Sequence, residues 1–277
     1  MSDNLGYTSN AEPLSIGNVV SAGVRLYRSH LKKYLQLALI AHLWVLVPIY
    51  GWAKYAAISG LISRLAFGEL TNQPEPLPDA RDRVEPLLWS FWGIYFRVTL
   101  YLLLVYLGLA IAGGIVIGLF AGVLSVILGT GGAIITTALV AVLMVIIIVA
   151  GLTWFYARWV IAEVPLAVEE NINGAESVNR SWELTKASAF RIQGVVIVAG
   201  IVTLPIVFLF NYLPSLFLLA LEPGSLIYGL VYFISMLISL LGGMFVMPFW
   251  QSIKAVIYYD LRSRREGLGL QLRNREI

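Results

Sequence analysis

Few side chains in this sequence are of a kind that does chemistry. Among 277 residues there are two histidines, His30 and His42, and no cysteine. Thiolate nucleophiles, iron–sulfur clusters, Cys-based zinc sites and disulfides are therefore excluded. No acidic residue lies between the two histidines, a poor basis for a metal site or an acid–base pair. His30 decorates an amphipathic stretch. His42 lies inside an apolar arm, where an ionisable group is costly and points to function by default; a neutral, hydrogen-bonded packing histidine accounts for it better. Lys54 is the other ionisable group placed that deep, so His42 and Lys54 form the candidate intramembrane polar site. Glu163 can pair with Arg158 or Arg97 near the inner ends of apolar runs. These three, with Arg180, Trp182 and Glu183, form a candidate cytoplasmic interface.

No G-x-S-x-G nucleophile turn occurs, and Gly129-Thr130-Gly131-Gly132 lacks the Lys and Ser or Thr of a phosphate loop. The expectation is a chain that is not an enzyme and needs no cofactor or metal. Gly114, Gly118 and Gly122 repeat every four residues, which lines three bare patches along one helix face. Such a strip is either a seam for a partner or a second copy, or a packing surface within the chain. Asn211, Gln193 and Gln251 add neutral polarity to apolar runs, and Pro205, Pro214 and Pro248 can free backbone carbonyls there. These features keep a carrier for an apolar or lipid-like substrate in play.

The elements that hold these residues follow from composition. The chain is 59% hydrophobic and 13% charged, with a mean hydropathy of +0.82. A soluble domain carries about 25% charged residues, so a water-facing surface is excluded. From Val98 to Ala157 no Asp, Glu, Lys or Arg occurs, enough for two crossings of about 20 residues each joined by a glycine turn at 129–132. Two further charge-free runs, Ile192 to Leu221 and Pro223 to Ile253, meet at Leu221-Glu222-Pro223-Gly224. The stretch from Tyr34 to Gly68 is interrupted at Pro48-Ile49-Tyr50-Gly51 and reads as two short arms, as one kinked helix, or as a re-entrant hairpin.

Basic residues collect in cytoplasmic loops. Three hairpins place every Lys and Arg but Lys54 on one side, 18 of the 19. The expected fold class is an all-α membrane protein with about six transmembrane helices in three hairpins, spanning about 34–50, 52–68, 95–127, 132–158, 192–220 and 226–257. Residues 1–13 read as a flexible polar N-terminus without a signal peptide, 14–261 as one helical membrane domain, and 262–277 as a basic cytoplasmic tail.

An amphipathic helix is expected before each hairpin, lying in the cytoplasmic headgroup layer. The first shows Ile16, Val19, Val20, Val24, Tyr27 and Leu31 opposite Asn18, Ser21, Arg25, Arg28 and Lys32. In the second, Asp79 is expected to cap a segment ended by Pro86, with Trp89 and Trp92 in an aromatic belt. In the third, Ile172, Ala175, Val178 and Trp182 form a stripe, with helix-spaced pairs Glu176–Arg180 and Glu183–Lys186. At an offset of 157 residues Gln36 falls on Gln193 and Pro48 on Pro205, two coincidences that leave an internal duplication open.

Three passages, Arg25-Leu26-Tyr27-Arg28, Ala175 to Lys186 (AESVNRSWELTK) and Tyr258-Tyr259-Asp260-Leu261-Arg262, carry a resemblance. Together they resemble the bacterial membrane-domain family found fused to some glycerophosphodiester phosphodiesterases and, alone, as YciC-like proteins. The resemblance runs from about Leu14 to Gly267. It implies a six-helix membrane module without a defined biochemical role; the phosphodiesterase chemistry belongs to a separate soluble barrel and is not carried over. The expected function is a non-enzymatic scaffold or partner-binding module of a membrane or envelope assembly, such as a cell–cell junction. The alternative is a transporter or lipid-handling protein with a site between its helices. Expected partners are the bilayer with its anionic headgroups and other membrane proteins or further copies of the chain, not nucleic acid. The expected location is the bacterial plasma (inner) membrane, multi-pass, with both termini cytoplasmic.

Overall fold

The computed structural model describes residues 14–267. The expectations for residues 1–13 and for the tail beyond Gly267 lie outside the described residues. The described chain is helical throughout, with no strand. Its helices are α1 (Ile16–Ser29), α2 (Leu31–Val45), α3 (Tyr50–Leu70), α4 (Leu77–Val84), α5 (Leu88–Trp159), α6 (Glu163–Val168), α7 (Gly174–Thr185), α8 (Ala189–Val207), α9 (Leu213–Leu216) and α10 (Leu226–Arg265). A π-helical turn, Phe208–Tyr212, joins α8 to α9.

Three helical stretches are long and apolar enough to cross a membrane: Leu77–Val168, Gly174–Ala220 and Leu226–Arg265. The first is broken at Gly129, whose φ of 67° and ψ of 175° turn the chain back. The two arms of α5 then pack antiparallel: a Cβ on Gly113 would lie 3.3 Å from Met144 Cε, one on Gly151 would lie 3.0 Å from Leu109 Cδ1, and the Tyr101 and Trp159 rings stand 5.3 Å apart. The other two stretches meet at Gly224, with φ of 87°. They too run antiparallel, with Phe210 6.0 Å from Phe245 and the Asn211 amide oxygen accepting from Ser239.

The packed interior lies at one end of this arrangement. The connected core of buried apolar residues falls in 19–67, 80–94, 157–199 and 247–261, while apolar residues between about 100 and 155 and between 200 and 246 are largely exposed. Val126 is 86%, Leu219 82% and Leu226 80% exposed. Each such side chain gives up about 1.5–3 kcal/mol in water relative to an apolar surrounding, so the arms require lipid around them. The base is built on α3, with 12 of its 21 residues buried; it packs against α2, α5, α6 and α10.

The first hairpin is short. α2 has 15 residues and spans about 22 Å, too little for a hydrocarbon core about 30 Å thick. Its turn holds Ile49 at a φ of 64°, and Trp52 Nε1 donates to the Val45 carbonyl at 3.1 Å to close it. Lys54 pairs at 3.1 Å with Glu85 of the turn after α4, which follows Arg81 and Arg83 in the chain.

Other local expectations shift. α1 buries Val19, Val20 and Leu26 against protein rather than headgroups: a Cβ on Gly23 would lie 2.3 Å from Ile253 of α10. Asp79 lies in the first turn of α4, whose N-cap is Pro76. Pro48 sits in a turn while Pro205 sits inside α8, so the offset of 157 does not align like with like.

Candidate functional site

The chemistry-bearing side chains fall into three groups, each held by helices distant in sequence. The most deeply set is the ion pair of Lys254 on α10 with Glu163, the first residue of α6; their side chains are 10% and 5% exposed. Glu163 does not meet Arg158 or Arg97, as its sequence proximity to Arg158 suggested. The short break at 160–162 turns it inward to face α10. Next to the pair, the Ser63 hydroxyl donates to Gln251 Oε1 at 2.7 Å, Gln251 Nε2 donates to Ser59 at 2.5 Å, and Ser59 shares a 2.8 Å hydrogen bond with the Tyr95 hydroxyl. Buried polar groups are tolerated only when paired in this way.

The second group lines an interhelical cleft of about 500 Å³ between α2, α3, α5, the π turn and α10. Its polar side chains are His42, Tyr55, Asn211 and Ser239; its walls include Val45, Trp52, Trp92, Val207, Leu240 and Val246. His42 is 8% exposed and its Nδ1 lies 2.7 Å from the Ala38 carbonyl. A carbonyl only accepts, so Nδ1 carries the proton and Nε2 is left for α10. A Cβ on Gly243 would lie 2.4 Å from Nε2, so glycine is what lets the imidazole approach. The ring stands edge-on to Tyr55 at 5.2 Å. Asn211 belongs to the π turn, an irregularity that frees backbone groups and recurs at functional sites. A second groove of about 710 Å³, almost wholly apolar, starts from the same turn and runs between Leu209–Leu221 and Val231–Ile238.

The third group is the base. Arg158 is 2% exposed and lies 4.0 Å from the Trp182 ring centroid and 5.9 Å from that of Trp154. Its Nη1 donates to Thr185 Oγ1 at 3.1 Å. Among the described residues it makes no ion pair; aromatic faces take its charge, worth about 2 kcal/mol when desolvated. Arg180 pairs with Glu169 at 3.1 Å and with Glu266, and Tyr258 donates to Glu169 at 2.5 Å.

The expected pair Glu176–Arg180 does not form. Glu176 Oε2 instead accepts from the Asn173 backbone at 2.9 Å, completing a capping box at the start of α7. Glu183 is exposed, and only its carbonyl is engaged, by Arg265 at 2.6 Å; among the described residues it forms no pair with Lys186. Arg97 is exposed and makes no ion pair among the described residues. Gly114, Gly118 and Gly122 have nothing within 4 Å of a built Cβ. The strip therefore packs against none of the described residues; Gly113, one residue away, faces the other arm of α5.

Sequence reasoning missed the buried face of α7. Ser177, Ser181 and Thr185 repeat every four residues and are all buried. Ser177 donates to the Ala162 carbonyl at 2.6 Å and accepts from the Leu166 amide at 2.9 Å, and Ser181 donates to the Arg158 carbonyl at 2.9 Å. These hydroxyls satisfy the backbone where α5 gives way to α6, a demand that an apolar stripe at 172, 175, 178 and 182 cannot meet.

Among the described residues no group of three or more His, Cys, Asp or Glu is placed to share a metal ion. Comparison with protein-family models, curated proteins and solved structures returns no match. The site therefore rests on its own geometry.

Proposed function

We propose that this is a multi-pass inner-membrane protein that binds an amphiphile in the cleft between His42 and Asn211. The observation that carries the reading is the cleft itself: mainly apolar walls, a few converging polar groups, and an apolar groove starting from the same π turn. A polar head would meet His42, Tyr55, Asn211 and Ser239 while a hydrocarbon chain lies against the exposed arms. Lipid-handling is thus better supported than catalysis by this chain.

In the same proposal, the arms on either side of Gly129 and of Gly224 make four full crossings, and α2–α3 is a re-entrant hairpin. The Lys54–Glu85 pair supports this arrangement, because it keeps Lys54 with the other basic residues and leaves both termini cytoplasmic. Kinship with the YciC-like membrane-domain family belongs to the proposal too. It is supported by the meeting of the three motif passages in one base, where Tyr27 contacts Phe249 of α10, and Arg180 and Arg262 bracket Glu266.

A second reading, a partner-binding scaffold, is favoured by one observation: the glycine strip at 114, 118 and 122 faces away from the chain and is open to another helix.

The test is mass spectrometry of small molecules that co-purify with the full chain in mild detergent. Wild type is expected to retain a defined amphiphile, and Val207→Trp, which fills the cleft, to lose it while remaining monodisperse. Equal retention by Val207→Trp would remove the cleft as the binding site.

A further inference from the structure

A separate cleft of about 300 Å³ lies at the base, lined by Trp154, Lys186, Ala187, Ser188, Ala189, Phe190, Arg191 and Arg264. Three cations face one carboxylate here. Arg191 and Arg264 both grip Asp260, at 2.5 and 3.0 Å, and Asp260 is 4% exposed. Its other oxygen accepts from the Leu14 amide at 3.3 Å, so both oxygens are committed. Lys186 is exposed and has no ion pair among the described residues. The lining with Asp260 thus keeps a surplus of two positive charges.

Donors are in surplus as well. Trp154 Nε1, Arg191 Nε and Arg264 Nε are buried without an acceptor. Each guanidinium offers five donors; Arg264 spends one on Asp260, and Arg191 one there and one on the Leu14 carbonyl at 2.8 Å. The first turn of α8 opens onto the same cleft, and its N-cap, Ser188, makes no side-chain capping bond.

Two aromatic residues decide what kind of anion. Trp154 and Phe190 form the cleft's apolar rim, Phe190 is 79% exposed, and the surfaces beyond them on α5 and α8, Val149 and Ile197 among them, are exposed and apolar. A freely soluble anion gains nothing from that rim. We propose that this cleft holds the phosphate of an anionic phospholipid, with the phosphodiester against Lys186, Arg264 and the start of α8, and the acyl chains passing Phe190 along the outer faces of α5 and α8. It is independent of the cleft at His42, and its charge and aromatic rim suit the cytoplasmic leaflet boundary.

The test is native mass spectrometry of the full chain in detergent, titrated with phosphatidylglycerol or with phosphatidylcholine of the same acyl chains. Phosphatidylglycerol should be retained in preference. One basic residue near an anionic surface contributes about 1 kcal/mol, so Lys186→Gln should weaken its binding about five-fold. Ser188→Asp should abolish the preference, since it sets a carboxylate in the cleft, yet leave the fold intact because Asp is as good an N-cap as Ser. Arg25→Gln, an exposed cation on α1, should change nothing. Three results would overturn the assignment: equal binding of both lipids, full retention in Lys186→Gln and Ser188→Asp, or an equal loss in Arg25→Gln. Displacement of the lipid by inorganic phosphate at matched concentration would overturn the lipid as occupant and identify a free-phosphate site. Because Ser188 is remote from the His42 cleft, loss of phosphatidylglycerol here and loss of the amphiphile in Val207→Trp are separable outcomes.

Discussion

Replacing Glu163 with Leu removes one charge from the most enclosed ion pair of the base and leaves Lys254, beside Tyr95 and Tyr156, without a counter-ion. The two side chains are 5% and 10% exposed, so water cannot take over from the lost partner. Breaking a buried pair from one side costs about 3–5 kcal/mol, whereas replacing both partners with apolar residues of similar volume is close to neutral. Glu163→Leu and Lys254→Met are each expected to lose stability of that order, and the two together to recover most of it. Reversible unfolding in mixed detergent micelles reads all four proteins, and the double-mutant cycle isolates the coupling. If both single variants stay within about 1 kcal/mol of wild type, the pair is not desolvated and the base is not closed around it.

Two further perturbations probe neighbouring features. Gly243→Ala drives a methyl into His42 Nε2, where the built Cβ stands 2.4 Å away; overpacking of this kind costs about 1–3 kcal/mol, and imidazole NMR shifts should move while those of His30 do not. Arg158→Met keeps the length of the side chain but gives up the Trp182 face; a loss of about 2 kcal/mol is expected, whereas Trp182→Leu together with Arg158→Met should cost less than the sum of the two single changes if the contact is the source.

What the sequence made legible is local. Glycines flagged the reversals at 129 and 224, because positive φ is cheap only there, and the two arms on each side follow from uninterrupted apolar runs. The break at Pro48–Gly51 was also visible, although the residue that takes the positive φ is Ile49. Pairings across the chain were not. Glu163 and Lys254 are 91 residues apart, and nothing in the spacing around Glu163 favours α10 over nearby Arg158. The one hint was Lys254 itself, set among Ile253, Ala255, Val256 and Ile257, where a cation needs a buried partner. Likewise Ser177, Ser181 and Thr185 announced a hydroxyl face by their four-residue spacing, but its purpose appears only once the broken backbone at 158–162 lies against it. Lys54 is a similar case: charge counting could weigh only which side of the hairpin it belongs to, whereas its partner, Glu85, lies 31 residues further along the chain.

The reach of that first hairpin is also where the architecture is most exposed to test. A chain with no cysteine accepts single thiols at Val47, Gln73, Thr130 and Pro223 in turn, each probed in intact cells with a membrane-impermeant reagent. Thr130→Cys and Pro223→Cys are expected to label from outside, Gln73→Cys only after the membrane is opened, and Val47→Cys not from outside at all. Labelling of Val47→Cys from outside at the rate of Thr130→Cys would contradict the re-entrant hairpin and make the first pair of helices a full crossing.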